Sequence, residues 1–99
     1  MSKSIMQKKD GTCYLCKLSG KDWQQYTEEH HVMFGTSDRR LSERYGLKVY
    51  LCPEHHRFGS DAVHMNKGND LILRRAAQEA FIKTYPDKDW MEIFGKNYL

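Results

Sequence analysis

A chain of 99 residues, 39% hydrophobic and 29% charged, has room for one small, polar globular domain, and its composition is neither fibrous nor low-complexity. Lys and Arg (16) against Asp and Glu (13) leave a formal charge of +3, compatible with a nucleic-acid partner without demanding one. Three cysteines give no disulfide framework, and no apolar run approaches the roughly 20 residues of a membrane span. With no leader-like segment in view, the expectation is a soluble protein of a reducing cytoplasm.

Residues 1–11 are polar and lysine-bearing without periodicity, and are expected to form a flexible arm. Residues 12–18, followed by Ser19-Gly20, read as a zinc knuckle and hairpin. Residues 26–34 predict a strand that ends at Gly35 and carries His30 and His31 in its middle. Ser37 is placed to cap a short helix over residues 38–45, which Gly46 would stop in the left-handed conformation. A second short strand follows over residues 47–51, rich in Val, Tyr and Leu. Pro53 then suits the first turn of a helix carrying Glu54, His55, His56 and Arg57 until Gly59 interrupts it. The clearest helix opens at Asn69 or Asp70 and runs to Tyr85, where Pro86 ends it. Its stripe of Leu73, Ala76, Ala77, Ala80, Phe81 and Tyr85 reads as core rather than as a binding face. Trp90, Ile93 and Phe94 form a last amphipathic turn before Gly95. The fold class expected is α+β.

Two donor pairs stand out along this order. Cys13-Tyr-Leu-Cys16 and Cys52-Pro-Glu-His55 each set two soft ligands three residues apart, so that one tight turn can aim both at one ion. Singly, each pair is equally well explained as small buried side chains or a coincidence at a helix start. Jointly they make a Cys3His set, the composition of a closed tetrahedral structural zinc, with His56 as an alternative to His55. A small polar core has use for such a staple, because structural zinc binding is coupled to folding.

Further histidines remain once the zinc is filled. His30 and His31 are adjacent on a strand and face opposite ways, so they suit two tasks: one ring to bind a metal, the other to act as general base. His56 follows His55 at a helix start and is turned about 100° from it, toward a different partner. His64 lies beyond Gly59-Ser60, within return distance of the same pocket. The plainer alternative is a set of surface histidines, and for His64 alone that alternative is at least as good.

The order C-x-x-C, E-H-H, L-C-x-x-H-H resembles the HNH or ββα-metal endonucleases of the His-Me finger superfamily, many of which carry a zinc knuckle. It looks most like their small phage-type members. The resemblance covers residues 13 to about 64 and implies a treble-clef-like ββα-metal core over residues 12–67, with residues 68–99 as a helical extension packed on it. It assigns His31 as the general base and His30 and His56 as ligands of a catalytic divalent ion (Mg2+, Mn2+, Ni2+ or Zn2+). His64 resembles an additional histidine ligand at a longer spacing. The middle Asn of the family pattern has no counterpart, since Gly46-Leu47-Lys48 occupies that region.

Glu29 is placed to orient a histidine, and Arg39, Arg40, Arg44 and Lys48 to hold phosphates, although a charged helix face is often merely solvated. The implied function is metal-dependent hydrolysis of DNA, duplex or branched, with low sequence specificity, by one metal and a histidine base. A monomer would nick and a homodimer would cut both strands, in the cytoplasm of a bacterial host if the gene is phage-borne. The alternative is a non-catalytic zinc module that binds nucleic acid or protein.

Overall fold

The computed structural model describes residues 3–35 and 37–99. Its elements, in chain order, are α1 (Tyr14–Leu18), β1 (Glu28–His31), α2 (Asp38–Tyr45), β2 (Lys48–Leu51), one π-helical turn (Glu54–Phe58), α3 (Lys67–Thr84) and α4 (Trp90–Phe94). The strands pair antiparallel, with Glu28 opposite Leu51, Glu29 opposite Tyr50, His30 opposite Val49 and His31 opposite Lys48. This is a small α+β fold built on a two-stranded sheet. Among the described residues no helix is long and apolar enough to cross a membrane.

Strand alternation divides the sheet into two unlike faces. Glu28, His30, Val49 and Leu51 share one face, and Glu29, His31, Lys48 and Tyr50 share the other. Val49 and Leu51 are completely buried in the core with Leu73, Ala77 and Phe81, an i, i+4, i+8 stripe of α3. Phe81 anchors an aromatic cluster, with ring centroids 5.3 Å from Tyr45, 5.2 Å from Tyr85 and 5.4 Å from Trp90.

The first strand is shorter than the expected 26–34. Val32 N–H still bonds the Leu47 carbonyl at 3.0 Å, but the next residue leaves the ladder. Met33 instead takes both backbone bonds from the buried Ser42 hydroxyl of α2: its N–H donates at 2.9 Å, and its carbonyl accepts at 2.7 Å. A helix side chain has replaced the partner strand. That exchange docks α2 beside β1.

The knuckle at residues 12–18 is not a hairpin. Cys13 N-caps α1, and its Sγ accepts the Cys16 N–H at 3.5 Å. The predicted helix over residues 38–45 is observed with those bounds, and Gly46 closes it at φ 73°. Ser37 stands at its N-cap, without a capping hydrogen bond from the side chain. The long helix begins earlier than expected, because Asn66 caps it by accepting the Asn69 N–H at 3.0 Å.

The amino-terminal arm, expected from composition to be flexible, has defined partners here. Met1 and Ser2 lie outside the described residues, but residues 3–11 run along the outer edge of β2. Ile5 N–H bonds the Gly46 carbonyl at 2.9 Å, and the Ser4 hydroxyl bonds the Lys48 carbonyl. Gln7 accepts the Tyr50 N–H at 2.8 Å and donates to the Thr12 carbonyl at 2.9 Å. Ile5 and Met6 pack on the core. An open strand edge is thereby covered by side-chain and backbone partners.

Candidate metal and catalytic site

Cys13, Cys16, Cys52 and His55 are brought together from α1 and the π-helical turn, their donor atoms all within 4.8 Å of one another. His55 Nδ1 lies 3.5 Å from Cys13 Sγ, 3.4 Å from Cys16 Sγ and 3.3 Å from Cys52 Sγ, and the Cys16 and Cys52 sulfurs are 3.9 Å apart. A tetrahedron with metal–sulfur bonds of about 2.3 Å and metal–nitrogen bonds of about 2.0 Å has edges of roughly 3.5–3.8 Å. The spacings therefore suit one tetrahedral ion, and the set is compatible with a structural zinc. Burial pushes the Cys52 thiol up, so its ionisation calls for a cation beside it. His55, not His56, completes the set.

The Glu54–Phe58 turn separates the two histidines. Gly59 N–H closes it on the Glu54 carbonyl at 2.8 Å, the i to i+5 bond of a π turn. His55 faces the cysteines, while His56 joins His30 of β1 and His64 in a second cluster, their donor nitrogens also within 4.8 Å of one another. The ring centroids are 5.2 Å (His30 to His56), 5.4 Å (His30 to His64) and 5.8 Å (His56 to His64) apart.

His30 is 3% exposed, and its Nε2 has no hydrogen-bond partner. Burial, reinforced by the neighbouring His56 and His64, pushes its pKa down to about 3, so the ring is neutral and keeps a lone pair to give. His56 Nδ1 donates to Glu28 Oε1 at 2.8 Å, which leaves Nε2 as its acceptor atom. Glu28 is held in turn by Arg57, whose Nε lies 2.9 Å from Oε1. His56, and then Arg57, keep the Glu28 carboxyl below its ordinary range. A buried orphan nitrogen, a carboxylate-oriented imidazole and a third imidazole form a donor set that fits a divalent metal.

His31 points to the opposite face of the sheet, as alternation requires. Its Nε2 donates to Glu43 Oε1 of α2 at 2.9 Å, and Glu29 Oε1 is farther away at 3.8 Å. Nδ1 is then the ring atom left to accept a proton. Lys48 Nζ bonds both oxygens of Glu43 at 3.1 Å and lies 3.3 Å from Glu29 Oε2. Burial works against that ammonium, but the Glu43 and Glu29 carboxylates outweigh it and hold its pKa above the ordinary range. Lys48, expected beside the arginines as a phosphate contact, is 2% exposed and internally paired. It belongs to the support of His31.

A cavity of ≈ 290 Å³ is lined by His30, His31, His56, His64, Phe34 and Arg39, with Glu29 at its edge. Arg40 and Arg44 line an open hollow that continues from His31 and Arg39. The structure thus gathers His30, His31, His56, His64 and Arg39 around one cavity, sets Arg40 and Arg44 in the hollow beside it, and buries Lys48. Two carboxylates that bond the clustered histidines, Glu28 and Glu43, were not singled out in the sequence. Glu28 could have been found, since it lies two residues before His30 on the same strand face, whereas Glu29 shares the His31 face. Glu43 carries no local signal at all.

The chain matches no family model, no curated protein and no solved structure. Its functional reading therefore rests on these side chains.

Proposed function

We propose that this protein is a metal-dependent DNA endonuclease of the HNH type, with His31 as general base and a divalent ion held by His30, His56 and His64. The observation that carries the reading is the orphaned Nε2 of buried His30, turned toward two more imidazoles in a cavity whose rim is His31. A metal there would act as Lewis acid on the scissile phosphate and its leaving oxygen. The protein's own part is positional. Glu43 takes the Nε2 proton of His31 in a hydrogen bond, so Nδ1 accepts the proton of the attacking water and Glu43 steadies the imidazolium that forms. Glu28 fixes the tautomer and tilt of His56. Arg39, on the wall of the same cavity, is placed to meet a phosphate oxygen. The Cys3His cluster is proposed to hold a structural zinc that locks the π turn carrying both His55 and His56.

The alternative, a non-catalytic zinc module, accounts for Cys13, Cys16, Cys52 and His55 but gives no task to the second cluster or to the His31–Glu43 pair. Relaxation of supercoiled plasmid with added Mg2+, Mn2+, Ni2+ or Zn2+ separates the two readings. Wild type is expected to nick, and His31→Ala to lose about 10²–10⁴-fold in rate while keeping its fold and structural zinc. Equal cleavage by both proteins, or none under any metal, transfers the assignment to the binding module.

A further inference from the structure

Three hollows join end to end across the candidate centre. The first, ≈ 460 Å³, is lined by Lys3, Lys8, Lys9 and Tyr50 and reaches Glu29. The second is the histidine cavity, which runs from Glu29 past His31 to Arg39. The third, ≈ 590 Å³, continues from His31 and Arg39 to Arg40 and Arg44. Glu29 joins the first to the second, and His31 and Arg39 join the second to the third.

The charges along this line are unlike an ordinary solvated face, where lysines and carboxylates alternate. The acidic groups lining it are Glu29 and Glu43, and both lie against the buried Lys48 ammonium, at 3.3 Å and 3.1 Å. Among the described residues, Lys3, Lys8, Lys9, Arg39, Arg40 and Arg44 make no ion pair. Like charges left facing one another repel, and a polyanion relieves that repulsion. The lysine end is also a fixed surface. Ser4, Ile5 and Gln7 pin the arm to Lys48, Gly46 and Tyr50, so its lysines project from a held backbone.

Resting on the nuclease reading, we propose that a nucleic-acid strand crosses the site along this line, its phosphates gripped on both sides of the histidine cavity. The arm lysines hold one side and the α2 arginines the other. A small phosphodiester would need only the centre. A two-sided grip selects a polymer with several phosphates on each side of the cleaved bond, and it assigns the arm a binding role that its composition alone did not suggest.

The test is fluorescence anisotropy of a labelled DNA duplex across a salt series, without added catalytic metal. Wild type is compared with Lys8→Ala/Lys9→Ala, Arg40→Ala/Arg44→Ala and the remote control Lys88→Ala, each checked for fold by circular dichroism. Each phosphate contact contributes about 0.9 to the slope of log K against log salt, so both double variants are expected to flatten it by roughly 1–2 and the control to leave it unchanged. A loss confined to one double variant overturns the two-sided track. So does arm-dependent binding to phosphatidylserine vesicles with no such dependence on DNA. If the protein binds DNA as described yet nicks nothing, the nuclease reading falls and the track stands. If it nicks while both double variants bind like wild type, the nuclease stands and the track falls.

Discussion

Glu43 illustrates how one side chain can set the behaviour of a whole site. Its Oε1 receives His31 Nε2 at 2.9 Å, and Lys48 Nζ lies 3.1 Å from each of its oxygens, so the carboxylate is aimed from one side and neutralised from the other. A glutamine has the same shape, but its amide offers one acceptor atom and no charge to the imidazolium. On the proposed nuclease reading, Glu43→Gln is expected to lower the nicking kcat by about 10–100-fold, the usual cost of losing a partner that orients a functional histidine, with little change in KM. Steady-state kinetics on plasmid, with zinc content measured in parallel, checks this. An unchanged kcat would return His31 to the status of a surface histidine.

At the scale of elements, the π turn Glu54–Phe58 carries two neighbouring side chains with different destinations. It sends two consecutive histidines to two separate clusters and is closed tightly by Gly59. A Cβ added at Gly59 would sit 2.8 Å from the Glu54 carbonyl, so the turn would have to open. Gly59→Ala is expected to cost about 1–3 kcal/mol by overpacking and to weaken metal binding at the His30 cluster. Gly46 is the contrasting case. Its φ is 73°, and an added Cβ would run into the Lys3 carbonyl, so Gly46→Ala is strained and pushes the arm away. That change is expected to cost about 1–2 kcal/mol without disturbing either metal cluster. Thermal melts paired with Mn2+ or Ni2+ titrations separate the two variants. Equal metal affinity in both would show that Gly59 does not set the position of His56.

For the whole molecule, the question is what holds so small a sheet in place. Two strands of four residues each, the whole of the sheet among the described residues, cannot supply much independent stability. The Cys3His cluster ties α1 to the turn that follows β2 and so closes the chain around the sheet. Val49 and Leu51 of the sheet share one buried core with Phe81 and Trp90. On the proposed structural zinc, a strong chelator is expected to abolish the cooperative melt and one equivalent of added zinc to restore it, followed by circular dichroism. Retention of a sharp unfolding transition in the zinc-free protein would assign the stability to the aromatic core instead.

Local chemistry is what the sequence expresses directly. The donor pairs Cys13/Cys16 and Cys52/His55, which the fold brings together, were legible because three-residue spacing lets one tight turn present both side chains. Helix α2 was legible from Gly46, and α4 from its apolar turn and Gly95, because a helix stop is encoded within a few residues. That His30 and His31 face opposite ways followed from strand alternation alone. What depended on tertiary structure was every choice between similar residues far apart in the chain. The pairing of Glu28 with Leu51 sets Glu28, rather than Glu29, against His56. The docking of α2 on β1 through Ser42 brings Glu43 to His31 and buries Lys48, which by composition is one more surface lysine. The edge of β2 draws in an arm that composition alone marks as flexible. Spacing along the chain decides which atoms can share a turn. Register and packing decide which charges face each other across it, and that is information no local window contains.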